Sequence, residues 1–237
     1  MLNKELFKEK LDTWYPIIEP LFDNGTMDQI YEKLKFDGER GKKIVPKSDF
    51  TYRCFKETPT DKVKVVLLGM CPYHTIIKGT YVADGLALSC SNHKDYLAPS
   101  LEKYYEALAI EFPQVDIEKS GDLKYLADQG VLLLNSALTT ERDKAGAHQE
   151  LWFPFTKFLF EEYLGRWDIP VILLGQEAQK FSKFLSPMQW NFSLEHPSFA
   201  ARNKVVWTTN GTFKKVNKIL KDLGKGEINW VLEEAPF

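Results

Sequence analysis

The sequence is short of the features that mark the specialised classes of protein. Only three cysteines, Cys54, Cys71 and Cys90, occur in 237 residues. The count is odd and no CxxC or Cys/His ligand spacing is present, which excludes a disulfide framework and a zinc signature. Reduced thiols are expected, with no metal and no other cofactor. No apolar run is long enough to cross a bilayer, and the opening stretch MLNKELFKEKLDTWYP lacks the uninterrupted apolar segment of a secretory signal. A soluble, non-secreted protein with no membrane partner is therefore expected. Positive charge is not in excess either: 31 Lys and Arg face 33 Asp and Glu, for a formal net charge of −2. A globally basic surface is excluded, so any contact with nucleic acid has to use a local patch and backbone amides. Internal repeats and low-complexity linkers are absent. With 44% hydrophobic residues there is enough apolar surface for one large core, and residues 1–237 are expected to form a single, monomeric domain.

What is there is alternation. Residues 3–35 carry helical apolar spacing in two segments separated at Gly25 and Thr26, and the charged stretch FDGERGKKIVPKSDF reads as loop. KVKVVLLG (62–69) is a β-branched apolar run ending in glycine, the pattern of a buried strand that leads into a loop. Similar runs follow at VLLL (131–134) and PVILLG (170–175), with a fourth strand at 190–194. Helical patterns at 99–112, 152–164 and 211–223 separate or follow them. Strands alternating with helices predict a three-layer α/β/α sandwich around a central, mostly parallel four-stranded sheet. Ligands of such sheets sit beyond the carboxyl ends of the strands, so the loops after Gly69, Leu134, Gly175 and Leu194 carry the interest.

Those loops contain GMCPYH (69–74), NSALTT (135–140) and HPSFAAR (196–202). Singly, each has an ordinary explanation: an Asn opening a loop is a turn former, and a His after a strand is most often structural. Their placement at successive strand ends is what points to one site.

The ordered set of motifs resembles the family 1 uracil-DNA glycosylases. DKVKVVLLGMCPYH resembles the family's strand and water-activating loop GQDPYH, and ADGLALS its HGLAFS segment. APSLEKYYEAL is similar to its PPSL helix start, and YLADQGVLLLNSALTT to LAxQGVLLLNTxLTV. AHQELW resembles its His-containing loop and EHPSFAAR its HPSPLS loop. The resemblance implies the uracil-DNA glycosylase-like fold and excision of uracil from DNA by base flipping. It also implies DNA as partner, a replication or inhibitor protein as a further one, and a cytoplasmic, nucleoid-associated or nuclear location. His196 would donate to the departing uracil oxygen, Asn135 would read the polar edge of the base, and Tyr73 would exclude a C5 methyl group. Met70 would supply a backbone amide. Ser100, which is also placed to be a helix cap, would join His148, Ser198 and Arg202 as phosphate contacts.

Three departures fall on the chemistry. Cys71 stands where the family has the Asp that orients water and stabilises the sugar cation, and a thiol with an ordinary pKa near 8.5 is mostly uncharged at pH 7. Leu88 replaces the aromatic that stacks on the base. Ala200 replaces the wedge leucine, with Phe199 one residue earlier as the substitute that fills the gap in the stack. The segment between His74 and Gly85 is longer than the family pattern and holds Asp84, a candidate replacement carboxylate that is otherwise a turn residue before glycine. An active glycosylase using Asp84 or a Cys71 thiolate, a non-enzymatic DNA-binding or replication platform, and a glycosylase for a different base, with Leu88 opening space beside it, all remain open on these residues.

Overall fold

Three buried apolar runs and one half-exposed run build the centre of the protein. The computed structural model describes residues 2–232. In chain order its strands are β1 (Ile44–Val45), β2 (Val65–Gly69), β3 (Ile76–Ile77), β4 (Thr80–Tyr81), β5 (Val131–Asn135), β6 (Thr140–Glu141), β7 (Val171–Leu174) and β8 (Asn191–Leu194). Its α-helices are α1 (Lys4–Leu11), α2 (Tyr15–Asp23), α3 (Thr26–Glu39), α4 (Arg53–Glu57), α5 (Pro99–Glu111), α6 (Lys124–Asp128), α7 (Gln149–Leu159), α8 (Gly175–Gln179), α9 (Pro197–Asn203) and α10 (Thr212–Asp222).

The central sheet has the order β5-β2-β7-β8, and all three pairings are parallel. Every residue of β2, β5 and β7 is buried, as expected of strands covered on both faces, whereas β8 at the edge is half exposed. Helices cover both faces. One group is knitted by aromatic edges, Tyr52 against Trp152 and Phe55 against Phe155, which tie α4 to α7, and α2 and α3 also pack on α7. The other joins α5 to α10 through Tyr104 and Phe213 at 5.6 Å and packs α9 on α5. Each large side chain buried in these layers contributes about 1.5–3 kcal/mol.

Boundaries differ from expectation in three places. The first helical segment is broken in two by a 3-10 turn at Asp12–Trp14, because Asp12 adopts φ 47 and Pro16 opens the next helix. The charged stretch is not all loop: α3 runs on to Glu39, and β1 pairs antiparallel with β6. The helix expected over 152–164 begins earlier at Gln149, and its last turn, Phe160–Leu164, widens into a π-turn.

β2 and β5 end level, with Gly69 paired to Asn135. A Cβ on Gly69 would lie 2.6 Å from Asn135 Oδ1. Glycine at that strand end is what lets the Asn135 side chain occupy its place.

Candidate active site

A cavity of about 720 Å³ opens beyond the carboxyl ends of the central strands, with walls from the loops after β2, β5, β7 and β8. Cys71, Asn135 and His196, the three strand-end residues, all line it.

The loop after β2 is held tightly. The Met70 carbonyl accepts from Ala137 N–H at 3.0 Å, Ser136 Oγ at 2.8 Å and Gln149 Nε2 at 2.6 Å. Cys71 Sγ accepts the Gly146 N–H at 3.3 Å, and burial pushes its thiol up to about 11, so it is neutral at pH 7. Tyr73 donates its hydroxyl to the Leu88 carbonyl at 2.9 Å and pairs with Ser100 Oγ at 2.8 Å. Burial also raises the Tyr73 phenol. The ring is therefore fixed as a neutral wall. His74 lines the same cavity, and its buried Nδ1 has no partner among the described residues.

Opposite stands Leu88, a non-glycine residue at φ 66. The left-handed region costs a leucine about 1–2 kcal/mol, and the Tyr73 hydroxyl and surrounding core hold it there. Asn135 is only 6% exposed, yet its side-chain amide makes no hydrogen bond among the described residues. Its donors and acceptor are free to face the cavity.

His196 caps α9. Its Nδ1 receives the Ser198 N–H at 3.1 Å and pairs with Ser198 Oγ at 2.8 Å. A nitrogen that accepts a backbone N–H carries no proton, so the ring proton sits on Nε2. Burial, and then Arg202, lower the His196 pKa to about 4. The ring is thus a neutral donor at physiological pH. Gly175, at φ 80, passes close beside it.

The remaining expected residues divide. Met70, Ser198, Phe199 and Arg202 line the cavity, with Phe199 43% exposed at its mouth. Ser100 lines it as well, but its hydroxyl is engaged by Tyr73. Ala200 is 2% exposed and faces the core, so it is no part of a wedge; one turn of α9 carries Phe199 outward and Ala200 inward.

Asp84 is not a cavity carboxylate. It is fully buried and accepts from Leu86 N–H at 3.1 Å, Ser89 Oγ at 2.6 Å, and Ser91 N–H at 3.0 Å. The Arg53 guanidinium pairs with it at 3.0 Å. Its lone pairs are used in shaping the turn that presents Leu88.

His148 is also displaced from its expected role. It is 2% exposed and lies away from the cavity lining, with Nδ1 bonded to Thr139 Oγ1 at 2.8 Å. Its Nε2 lies 3.7 Å from Asp37. Asp37, Glu141 and His148 bring ligand-type atoms within 4.8 Å of one another. Lys42 already bridges the two carboxylates, at 2.9 and 2.7 Å, and Lys33 pairs with Asp37. The cluster is a charge-balanced strut between α3 and β6.

Sequence reasoning missed Gln176, Glu177 and Glu195, which line the cavity from α8 and the end of β8. The loop after Gly175 was legible as a strand end. Nothing in GQEAQ singles out which of its side chains turn inward.

No protein-family model matches the chain. It is 35% identical over 226 residues to the uracil-DNA glycosylase of Pseudomonas aeruginosa (strain UCBPP-PA14), a match covering 94% of each chain. It is 32% identical over 227 residues to that of Azotobacter vinelandii, covering 94% of this chain and 95% of the relative. Among solved structures, mimivirus uracil-DNA glycosylase matches with a TM-score of 0.83 at 25% identity, over 98% of this chain and 90% of that one. A variant of the mimivirus protein in complex with UGI gives 0.84, also at 25% identity, over 98% of this chain and 92% of that one. A cavity at the strand ends, walled by a free amide, a neutral imidazole donor and a fixed phenol, is set in an α/β sandwich of the fold shared by uracil-DNA glycosylases. The chain belongs to the uracil-DNA glycosylase family.

Proposed function

We propose that this protein removes uracil from DNA, turning the nucleotide out of the strand into the cavity and cleaving its N-glycosidic bond, as the opening step of base excision repair. The observation that carries this reading is the pairing of Asn135 with His196 across one cavity. The unpartnered Asn135 amide matches the adjacent carbonyl and N–H of a uracil edge, while a cytosine edge presents the reverse pattern. His196 offers Nε2–H to the oxygen on which negative charge grows as the base departs, which stabilises the transition state more than the ground state. Tyr73, locked between Leu88 and Ser100, stands where a C5 methyl would collide. Phe199 at the mouth fills the space left in the base stack, and Arg202 holds a phosphate.

Cys71 sets the rate. A neutral thiol gives the cationic sugar no charge, and by analogy with a deleted oxyanion-hole donor the loss is about 2.7–4 kcal/mol. The protein therefore works as a slow enzyme. Its partner is uracil-containing DNA, single- or double-stranded, and an inhibitor protein is a further partner, as for the mimivirus relative. Its place is with intracellular DNA, and among the described residues no helix is long and apolar enough to cross a membrane.

The test is incubation with a uracil-containing oligonucleotide followed by alkali. Strand breaks at the uracil, lost in His196→Ala, support the reading. Binding to the oligonucleotide without breaks would make the protein a platform, and breaks only at another base would move the substrate.

A further inference from the structure

The segment leading into α7 grips the loop after β2 at three points. Gly146 donates its N–H to Cys71 Sγ at 3.3 Å. Gly146, at φ 72, also lies so close to Met70 that a Cβ would come within 2.6 Å of its Cε. The third point is the Gln149 side chain, whose Nε2 donates to the Met70 carbonyl at 2.6 Å. Ser136 Oγ is within 3.0 Å of Gln149 Oε1 and 2.8 Å of the same carbonyl. A hydroxyl has one hydrogen, so Ser136 serves one of these acceptors at a time. When it serves Gln149, the amide is held at one end and aimed at Met70 by the other.

The consequence lies across the peptide bond. The only cis peptide among the described residues is Val45–Pro46, so the Met70–Cys71 bond is trans and its N–H points opposite to its carbonyl. Donors from the loop after β5 and from α7 draw the carbonyl to the back of the loop. The Cys71 N–H, which has no acceptor among the described residues, is thereby turned towards the cavity that Met70 and Cys71 line.

We infer that Gln149 is a positioning residue for the reaction: from behind the cavity wall it sets the Met70–Cys71 peptide, and so the backbone donor and thiol presented to the substrate. This rests on the uracil-excision reading and adds to it a residue that touches no substrate. A misplacement of about 1 Å at a reacting centre costs on the order of a hundredfold in rate.

The experiment compares the parent with Q149E and Q149L on one single-stranded uracil oligonucleotide, from pH 5 to pH 8.5, with thermal unfolding measured in parallel. An ionised carboxylate has no hydrogen to give Met70, and a protonated carboxyl has one. The expected result is a kcat for Q149E some ~10- to 100-fold below the parent at high pH, recovering as the pH falls, with KM changed far less. Q149L is expected to stay low throughout, and the parent to lack the Q149E profile. Variants that keep the parent kcat at every pH, or lose it only in proportion to a lost folded fraction, overturn the inference while leaving excision intact. A parent that neither releases uracil nor prefers uracil-containing over thymine-containing DNA overturns both.

Discussion

Gly175 stands directly against His196: a Cβ on the glycine would lie 2.8 Å from the histidine Cβ, and the glycine holds φ 80. No L side chain fits there without moving the ring. Gly175→Ala is therefore expected to act on two quantities at once. Backbone strain costs roughly 1–3 kcal/mol of stability, and displacement of the Nε2 donor lowers uracil release by about tenfold or more. Denaturant unfolding and steady-state release measure the two separately. A Gly175→Ala protein with the parent's kcat would show that His196 is not the donor.

Cys71→Asp is expected to accelerate release by about 100- to 1000-fold, the equivalent of ~2.7–4 kcal/mol, by restoring a fixed negative charge beside the sugar. Cys71→Ala should stay near the parent rate, because a neutral thiol contributes no charge. No gain in Cys71→Asp would place the limit elsewhere, at Leu88 or in the choice of base.

His196 makes stability depend on pH with a definite sign. Its folded pKa is lowered to about 4 by burial and Arg202, against an ordinary value near 6.5 in the unfolded chain. Between these values the unfolded state binds the extra proton, so the contribution is fully present above pH 6.5 and is lost as the pH falls towards 4. The loss is about 3 kcal/mol. His148, also lowered by burial, works in the same direction. Urea unfolding at pH 7.5 and pH 4.5 should show a smaller drop in His196→Gln than in the parent; an equal drop would place the His196 proton elsewhere.

Asp84→Asn separates structure from chemistry. Asp84 is the buried member of its pair with Arg53, which keeps Glu57 and Asp122 as partners, so removing the Asp84 charge is expected to destabilise the fold by about 1–3 kcal/mol and to loosen the turn that carries Leu88. Activity per folded molecule should fall less than stability. Full stability with abolished release would return Asp84 to a catalytic role.

The sheet was legible because β2, β5 and β7 are buried on both faces and so read as unbroken apolar runs. Gly69 and Asn135 were legible because they fall where two of those runs stop, and His196 because it lies two residues beyond the fourth strand. Asp84 and His148 were misplaced for a shared reason: a polar side chain in a loop turns inward when a distant partner meets it. Arg53 meets Asp84 and Thr139 meets His148, and nothing in ADGLALS or AHQELW names either partner, although Leu86 and Ser89 also bind Asp84 from within its own segment. Ala200 shows the complementary difficulty, since a short helix decides which neighbour faces out only once its axis is set by packing on α5. Gln149 was passed over because its partner is a backbone carbonyl, which has no residue signature.

The order β5-β2-β7-β8 also has a consequence for synthesis. β2 is the first strand of the central sheet to leave the ribosome, yet it lies inside that sheet, and both of its neighbours are encoded later. Until Val131–Asn135 and then Val171–Leu174 emerge, VVLLG has two open edges and two apolar faces. Such a segment pairs readily with any other exposed strand, including the same segment of a neighbouring nascent chain. Supplying a holding chaperone while the middle of the chain is being made is expected to raise the soluble yield, and slowing translation between Gly69 and Leu174, which prolongs that exposure, to lower it.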